Sequence, residues 1–243
     1  MKLLSSFVNT CIIVMTAFSI IACNGQYDVQ NTSPESFQML LKEDVILLDV
    51  RTPNEIAQGF IADASPLDYY DADFKRKLGL IQKGKPVLVY CKSGGRSSSA
   101  ANLLLELGHK EVYNLSGGYM GWLKNNYPVE KSSNQTIREV QSISQEDFTK
   151  RLEDNAYVLL DFHTQWCAPC RKLEPIIQKI ELEFSDEIEV IRIDVDVHKD
   201  LSERYQVSSI PTLVFISNSR ELWRNSGFID EDFLRSKIKD MTQ

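Results

Sequence analysis

Val45 to Asp49 is apolar until its last residue, and Val87 to Tyr90 is apolar throughout. Such short runs predict strands buried on both faces, as in a parallel sheet. Val112 to Leu115 reads as a third strand. Between these runs the spacing becomes helical. Ser33-Pro34-Glu35 offers an N-cap followed by proline in the first turn, with Phe37, Leu40 and Leu41 at helical intervals. Thr52-Pro53-Asn54-Glu55 is a capping box with proline at the first helical position, so a helix starts directly after the first strand. A Gly/Ser loop follows Tyr90 and leads to a helix from about Ser97 to Leu107, stopped by Gly108. Strands alternating with helices predict an α/β unit whose parallel sheet carries helices on both faces.

From Tyr127 to Ile137 the periodicity disappears into polar residues, which predicts a linker. A second unit follows it. Ser144 to Leu152 is helical in pattern, Tyr157 to Phe162 is a strand, and a helix runs from Cys170 through Ile176, Ile177 and Ile180 to Phe184. A strand at Val190 to Val195, a short helix near Leu201 to Tyr205, strands at Thr212 to Ile216 and Leu222 to Arg224, and a closing helix from Glu231 to Lys239 complete it.

A length of 243 residues supports two domains. Lys2 is the only charge before Asp28, and between them lies an apolar stretch from Cys11 to Ala22, which reads as an export leader. Its end, Ile20-Ile21-Ala22-Cys23, resembles the lipobox of bacterial lipoproteins, in which the Cys is acylated and becomes the new N-terminus. The other reading is an uncleaved membrane anchor over Leu3 to Ala22. Either one tethers the remainder outside the cytoplasm, facing the periplasm or the cell exterior. The expected division is a leader over 1–22, a tether over 23–32, a first domain over 33–128, a linker over 129–137 and a second domain over 138–243.

Composition, at 43% hydrophobic and 25% charged, is that of a globular protein and excludes disorder and a multi-span membrane protein. Net charge is -7, and -8 once Lys2 is lost, which argues against a nucleic-acid partner. From Asn24 to Lys131 the chain has 12 basic and 13 acidic residues, and beyond it 14 and 21, so the acidity belongs to the second unit. Of five cysteines, Cys11 leaves with the leader and Cys23 carries lipid. Three remain, Cys91, Cys167 and Cys170. An odd number outside the cytoplasm points to a reactive thiol rather than a closed disulfide framework.

Cys91-Lys92-Ser93-Gly94-Gly95-Arg96-Ser97 lies where a buried strand turns into a helix, and unpaired backbone N–H groups there form an anion cradle. Glycines let the loop curl around the sulfur, while the helix dipole and Arg96 lower the thiol pKa. Cys91 is therefore a candidate nucleophile. This stretch resembles the rhodanese family, as do Leu48-Asp49-Val50-Arg51-Thr52-Pro53-Asn54-Glu55 and Leu115-Ser116-Gly117-Gly118-Tyr119-Met120-Gly121-Trp122. The resemblance covers about 35 to 128. It implies that Cys91 takes sulfane sulfur from a small donor as a persulfide, with Arg96 catalytic and Lys92, Ser93, Gly94, Gly95, Asp49 and Arg51 binding substrate. Phe60-Ile61-Ala62-Asp63-Ala64 departs from the family's His-Ile-Pro-Gly-Ala. Four residues separate Cys91 from Arg96, against five in dual-specificity phosphatases, and the smaller ring suits sulfur.

Trp166-Cys167-Ala168-Pro169-Cys170-Arg171-Lys172 follows a strand and opens a helix, placing Cys167 exposed at a helix N-terminus and Cys170 one turn inside. The spacing suits a Cys167 that attacks a disulfide and a Cys170 that resolves the intermediate. Zinc would need a second ligand pair, and His163 and His198 are isolated, so no metal is expected. From about Ile137 to Lys239 the chain resembles thioredoxin. The resemblance implies a buried proton-handling carboxylate at Asp161, a helix-kinking Pro175, and a cis-proline loop, Ile210-Pro211-Thr212, that binds substrate backbone beside Trp166. Ala168, Arg192 and His163 depart from the family's usual residues, and His163 is a candidate to titrate against Cys167 near neutral pH.

The expected fold is α/β, a rhodanese-like parallel-sheet domain followed by a thioredoxin-fold domain. The expected function is an extracytoplasmic thiol-disulfide oxidoreductase with a sulfane-sulfur-carrying domain. A sulfurtransferase with the thioredoxin unit as acceptor is one alternative, and a docking lipoprotein with an inactive rhodanese unit another. No cofactor is implied beyond a redox-active Cys167–Cys170 disulfide and a persulfide at Cys91. Expected partners are protein thiols and disulfides, a small sulfane-sulfur donor, a membrane electron donor, and the membrane through the lipid.

Overall fold

The computed structural model describes residues 28–131 and 142–243. The expected leader, Cys23 and linker residues 132–137 lie outside the described residues. Among the described residues, no helix is long and apolar enough to cross a membrane.

The first unit contains strands β1 (Gln30–Thr32), β2 (Ile46–Asp49), β3 (Ser65–Pro66), β4 (Val87–Tyr90) and β5 (Val112–Leu115), in the order β1-β5-β4-β2-β3 and all parallel. Helices α1 (Pro34–Leu40), α2 (Pro53–Ile56), α3 (Phe74–Gly79), α4 (Gly95–Glu106) and α5 (Gly118–Lys124) connect them. Successive strand residues point to opposite faces. Leu48 and Val89 accordingly pack with Phe74 and Leu78 of α3 and Leu104 of α4, whereas Leu47, Leu88 and Tyr90 pack with Phe37 of α1 and Trp122 of α5. The expected two-faced parallel sheet is therefore present.

The second unit has β6 (Tyr157–His163), β7 (Glu189–Asp194), β8 (Thr212–Ser217) and β9 (Arg220–Ser226) in the order β7-β6-β8-β9, with β6–β7 parallel and the other pairs antiparallel. Helices α6 (Gln145–Asp154), α7 (Ala168–Glu183), α8 (Lys199–Arg204) and α9 (Glu231–Thr242) cover it. Leu173, Ile177 and Ile180 of α7 pack with α9 on one face, and Phe148 of α6 with Leu201 of α8 on the other.

Several expectations need correction. Gln30–Thr32, expected in the tether, is an edge strand paired with β5; its polar side chains gave no apolar run. Val129 and Glu130, expected in the linker, belong to the first unit, since Phe60 and Glu130 exchange backbone hydrogen bonds of 2.8 Å and Val129 packs on its core. The helix after Cys91 starts at Gly95, not Ser97, and the one at the cysteine pair starts at Ala168, not Cys170. β3, α3 and α5 had no counterpart in the sequence reading, because their short runs carry few periodic apolar positions.

Candidate active sites

Cys91 directly follows β4 and is 1% exposed. The Gly94 N–H donates to its sulfur at 3.1 Å and the Ser97 hydroxyl at 3.3 Å. Gly94 has φ of +106°, a conformation that favours glycine, and this curl aims its N–H back at the sulfur. The turn is clamped from behind by α5, whose Tyr119 N–H donates to the Cys91 carbonyl at 2.7 Å and whose Met120 N–H donates to that of Lys92 at 3.0 Å. Burial pushes the Cys91 thiol up, but the Ser97 hydroxyl and the N–H groups of Ser97, Ser93 and Gly94 outweigh it, so its pKa is lowered.

Arg96 is coupled by charge to Cys91, as the sequence suggested, but its guanidinium is held on a neighbouring carboxylate. It forms a fork on the Glu55 carboxylate at 2.8 and 2.7 Å, with its guanidinium 5.7 Å from the centre of the Tyr70 ring. The thiolate is held by the Ser97 hydroxyl and backbone amides, and Arg96 stands at the rim as a paired cation. Lys92, Ser93 and Gly95 are exposed around it.

Asp49 and Arg51, expected to bind substrate, are buried and satisfied by one another. The Asp49 carboxylate accepts from Arg51 Nε at 2.9 Å, Arg51 Nη2 at 2.6 Å and the Tyr90 hydroxyl at 2.7 Å. Arg51 Nη2 also donates to the Gly59 carbonyl at 2.8 Å. Their carboxylate and guanidinium fix the loop that carries Phe60 to Ala64 instead of facing solvent.

In the second unit Cys167 is the N-cap of α7 and is joined to Cys170 in a disulfide. The Cys170 N–H donates to the Cys167 sulfur at 3.1 Å, as a helix N-terminus favours for a thiolate. The peptide bond between Ile210 and Pro211 is cis, and Pro175 lies inside α7. Cys167 was expected to be exposed, yet it is only 2% exposed. Chain from the first unit covers it: Leu80 shares its apolar cluster, and Ser65 Oγ accepts the Ala168 N–H at 2.9 Å. Trp166 donates its indole N–H to Asp196 at 2.8 Å.

Asp161 is buried on β6, with Oδ2 3.2 Å from Arg192 Nε and Oδ1 without a hydrogen-bond partner. Arg192 also reaches Glu174 at 3.1 Å. An open cavity of about 840 Å³ is lined by Cys170, His163, Glu174 and Arg192. Burial lowers the His163 pKa from its ordinary value, so the ring is neutral near pH 7 and does not supply the titration the sequence suggested. Among the described residues, no group of His, Cys, Asp and Glu could hold a metal ion.

The sequence placed Ser97 only at a helix start and Glu55 only in a capping box, with no part for either beside the Cys91 thiol, although both stand inside quoted motifs. It had no signal at all for Leu80 and Ser65, whose contacts join the two units.

Residues 33–125 match the family model for the rhodanese-like domain, and residues 139–240 match that for thioredoxin. The chain is 42% identical to thioredoxin-1 of Drosophila yakuba over 83 residues, 33% of this chain and 78% of that protein. It is 36% identical to thioredoxin of Chlamydia trachomatis over 95 residues, 39% of this chain and 91% of that one. A sulfurtransferase of Allochromatium vinosum is 41% identical over 87 residues, 36% of this chain and 79% of that protein.

Proposed function

Because the chain belongs to the rhodanese-like family in its first unit and to the thioredoxin family in its second, we propose that it is a thiol-disulfide oxidoreductase that also carries sulfane sulfur. The carrying observation is Cys167 at the N-cap of α7 with the Cys170 N–H on its sulfur, since this arrangement stabilises the attacking thiolate and keeps the resolving thiol one turn away. In the reducing direction, the Cys167 thiolate bonds to one sulfur of a substrate disulfide and the other leaves as a thiolate. Cys170 then attacks Cys167, forming the observed disulfide and releasing the second substrate thiol, so two electrons pass to the substrate.

At Cys91 the thiolate attacks the outer sulfur of a donor such as thiosulfate, sulfite leaves, and a persulfide remains. The loop donors from Ser93, Gly94 and Ser97 would hold the terminal sulfur's charge. Reaction of that persulfide with Cys167 and Cys170 returns Cys91 to a thiolate, releases sulfide and closes the disulfide. That sequence is the sulfurtransferase reading, and the intact, donor-lined Cys91 loop favours it over an inactive docking domain.

The apolar leader and Cys23 support placing this chemistry outside the cytoplasm on a lipid anchor, where a membrane electron donor would have to re-reduce Cys167–Cys170. Insulin reduction and thiosulfate–cyanide transfer measured side by side test the proposal. Cys167→Ser should abolish the first and Cys91→Ser the second; insulin reduction that survives Cys167→Ser would sink the oxidoreductase reading.

A further inference from the structure

The face around the Cys167–Cys170 disulfide is occupied by the protein's own first unit. The carbonyl of Leu80, just past α3, accepts the Ile210 N–H at 3.0 Å. Leu78 and Ile81 pack into their own unit's core, but Leu80 between them is buried in the cluster of Cys167, Cys170 and Ile210. Gln82 continues along Pro211's neighbours, its amide 3.4 Å from the Ser226 carbonyl, against Gly227, where any added Cβ would fall 2.4 Å from its nitrogen. On the other side of the disulfide, Ser65 Oγ takes the Ala168 N–H and the Ala64 carbonyl takes Arg171 at 3.0 Å. Paired charges ring the contact: Arg76 with Asp196 at 2.5 Å, Lys199 with Asp73 at 2.6 Å and Lys172 with Asp63 at 3.1 Å.

A thiol or disulfide partner must bring its sulfur into line with the Cys167 sulfur. At 2% exposure no protein partner can do so while this segment is seated. We infer that residues 79–82 are a tethered occupant of the partner-binding face, so that protein partners reach Cys167 by displacing them. The kind of partner follows from what the occupant supplies: a helix end and the turn after it, which set an apolar side chain beside the disulfide and a carbonyl on the Ile210 N–H. This deepens the oxidoreductase reading and rests on it for the identity of the partner.

Only ten residues separate Lys131 from Ser142. A short tether holds its ligand at an effective concentration in the mM range, so an external peptide competes at a disadvantage. The charged ring is partly exposed, with 31% and 26% for Arg76 and Asp196 and 49% and 38% for Lys199 and Asp73, so salt weakens it.

Two variants of the full chain test this. Leu80→Asp removes the inserted side chain without touching its own unit's core, and Arg76→Glu combined with Lys199→Glu opposes the ring. Amide hydrogen exchange at Ile210 and Ala168 should quicken by about tenfold in both. Insulin reduction should rise several-fold, and the wild type should approach the variants between about 0.1 and about 1 M NaCl, as the screening length shrinks from about 10 to about 3 Å. Unchanged protection of Ile210 in both variants would overturn the inference. If protection is lost while every form leaves insulin unreduced, the occupied face stands and the oxidoreductase reading falls.

Discussion

Arg96 grips Glu55 through two parallel hydrogen bonds, Nη1 to Oε2 at 2.8 Å and Nη2 to Oε1 at 2.7 Å, tying the first turn of α4 to α2 across the mouth of the Cys91 loop. The fork, opposed by burial and helped by the Thr52 N–H and hydroxyl, holds the Glu55 carboxyl down at about 2. A carboxyl depressed on folding stabilises the protein above its ordinary value of 4.5 and loses that contribution as pH falls toward about 2.

Glu55→Gln is therefore expected to cost on the order of 1 kcal/mol near pH 6, a figure kept low because both side chains are about a fifth exposed and screened by water. Denaturant unfolding of wild type and variant should converge as pH drops from about 4.5 to about 2. A difference that stays constant across that window would show that the fork contributes nothing through charge.

Ser97 is expected to set the reactivity of Cys91. Its hydroxyl has one proton and three acceptors in reach, the Cys91 sulfur at 3.3 Å, the Gly94 carbonyl at 3.1 Å and the Asn114 side-chain oxygen at 2.7 Å. Ionising the thiol turns that proton toward sulfur. A hydrogen bond to a charged group is worth about 1.5 kcal/mol, or roughly one pKa unit. In Ser97→Ala the Cys91 alkylation rate at pH 7 should fall by about tenfold, with the same plateau at high pH because the thiolate itself is unchanged. A matching drop on the plateau would mean that access, not ionisation, had been altered.

The features legible in the sequence were those written in local chemistry. The buried strand at 87–90 is an unbroken apolar run, that at 157–163 is apolar apart from Asp161 and the closing His163, and the capping box at Thr52 to Glu55 forms as its residues require. The Cys91 loop and the Cys167–Cys170 pair carry their spacing in the chain. Asp49 and Arg51 read as anion ligands because two residues' separation says nothing about which way a pair points. Here both turn inward onto each other, and Asp49 also accepts from the Tyr90 hydroxyl. The burial of Cys167 was illegible for a different reason: its cover comes from Leu80 and Ser65 of the first unit, far upstream, and nothing local marks that they will meet a cysteine of the second.

Gly118 is expected to be the least replaceable residue of the first site. Its φ is +56°, and a Cβ there would lie 2.4 Å from the Cys91 carbonyl oxygen and 2.7 Å from the Lys92 carbonyl carbon. Both are backbone atoms of the loop itself and have nowhere to swing. Gly118→Ala should destabilise the first unit by about 2 to 3 kcal/mol or more. Thiosulfate loading of Cys91 should be lost while insulin reduction by the second unit survives. Normal loading in a variant of unchanged melting temperature would show that the loop can yield.

For Cys170 to resolve a mixed disulfide, its thiol must first lose a proton. Asp161 Oδ1 is buried without a hydrogen-bond partner, while Oδ2 is held 3.2 Å from Arg192, which lines the same cavity as Cys170. A buried oxygen left open is costly unless something transient uses it, and a proton in transit from Cys170 is the chemistry at hand. In Asp161→Asn, resolution by Cys170 should slow by about a hundredfold at pH 7, the lower end of what general-base loss removes. The first attack by Cys167, whose thiolate is favoured by the N-terminus of α7, should change far less. Single-turnover trapping of the mixed disulfide separates the two steps. The deficit should shrink toward pH 9, where hydroxide deprotonates Cys170 without help, whereas a purely structural role for Asp161 would leave it the same at every pH.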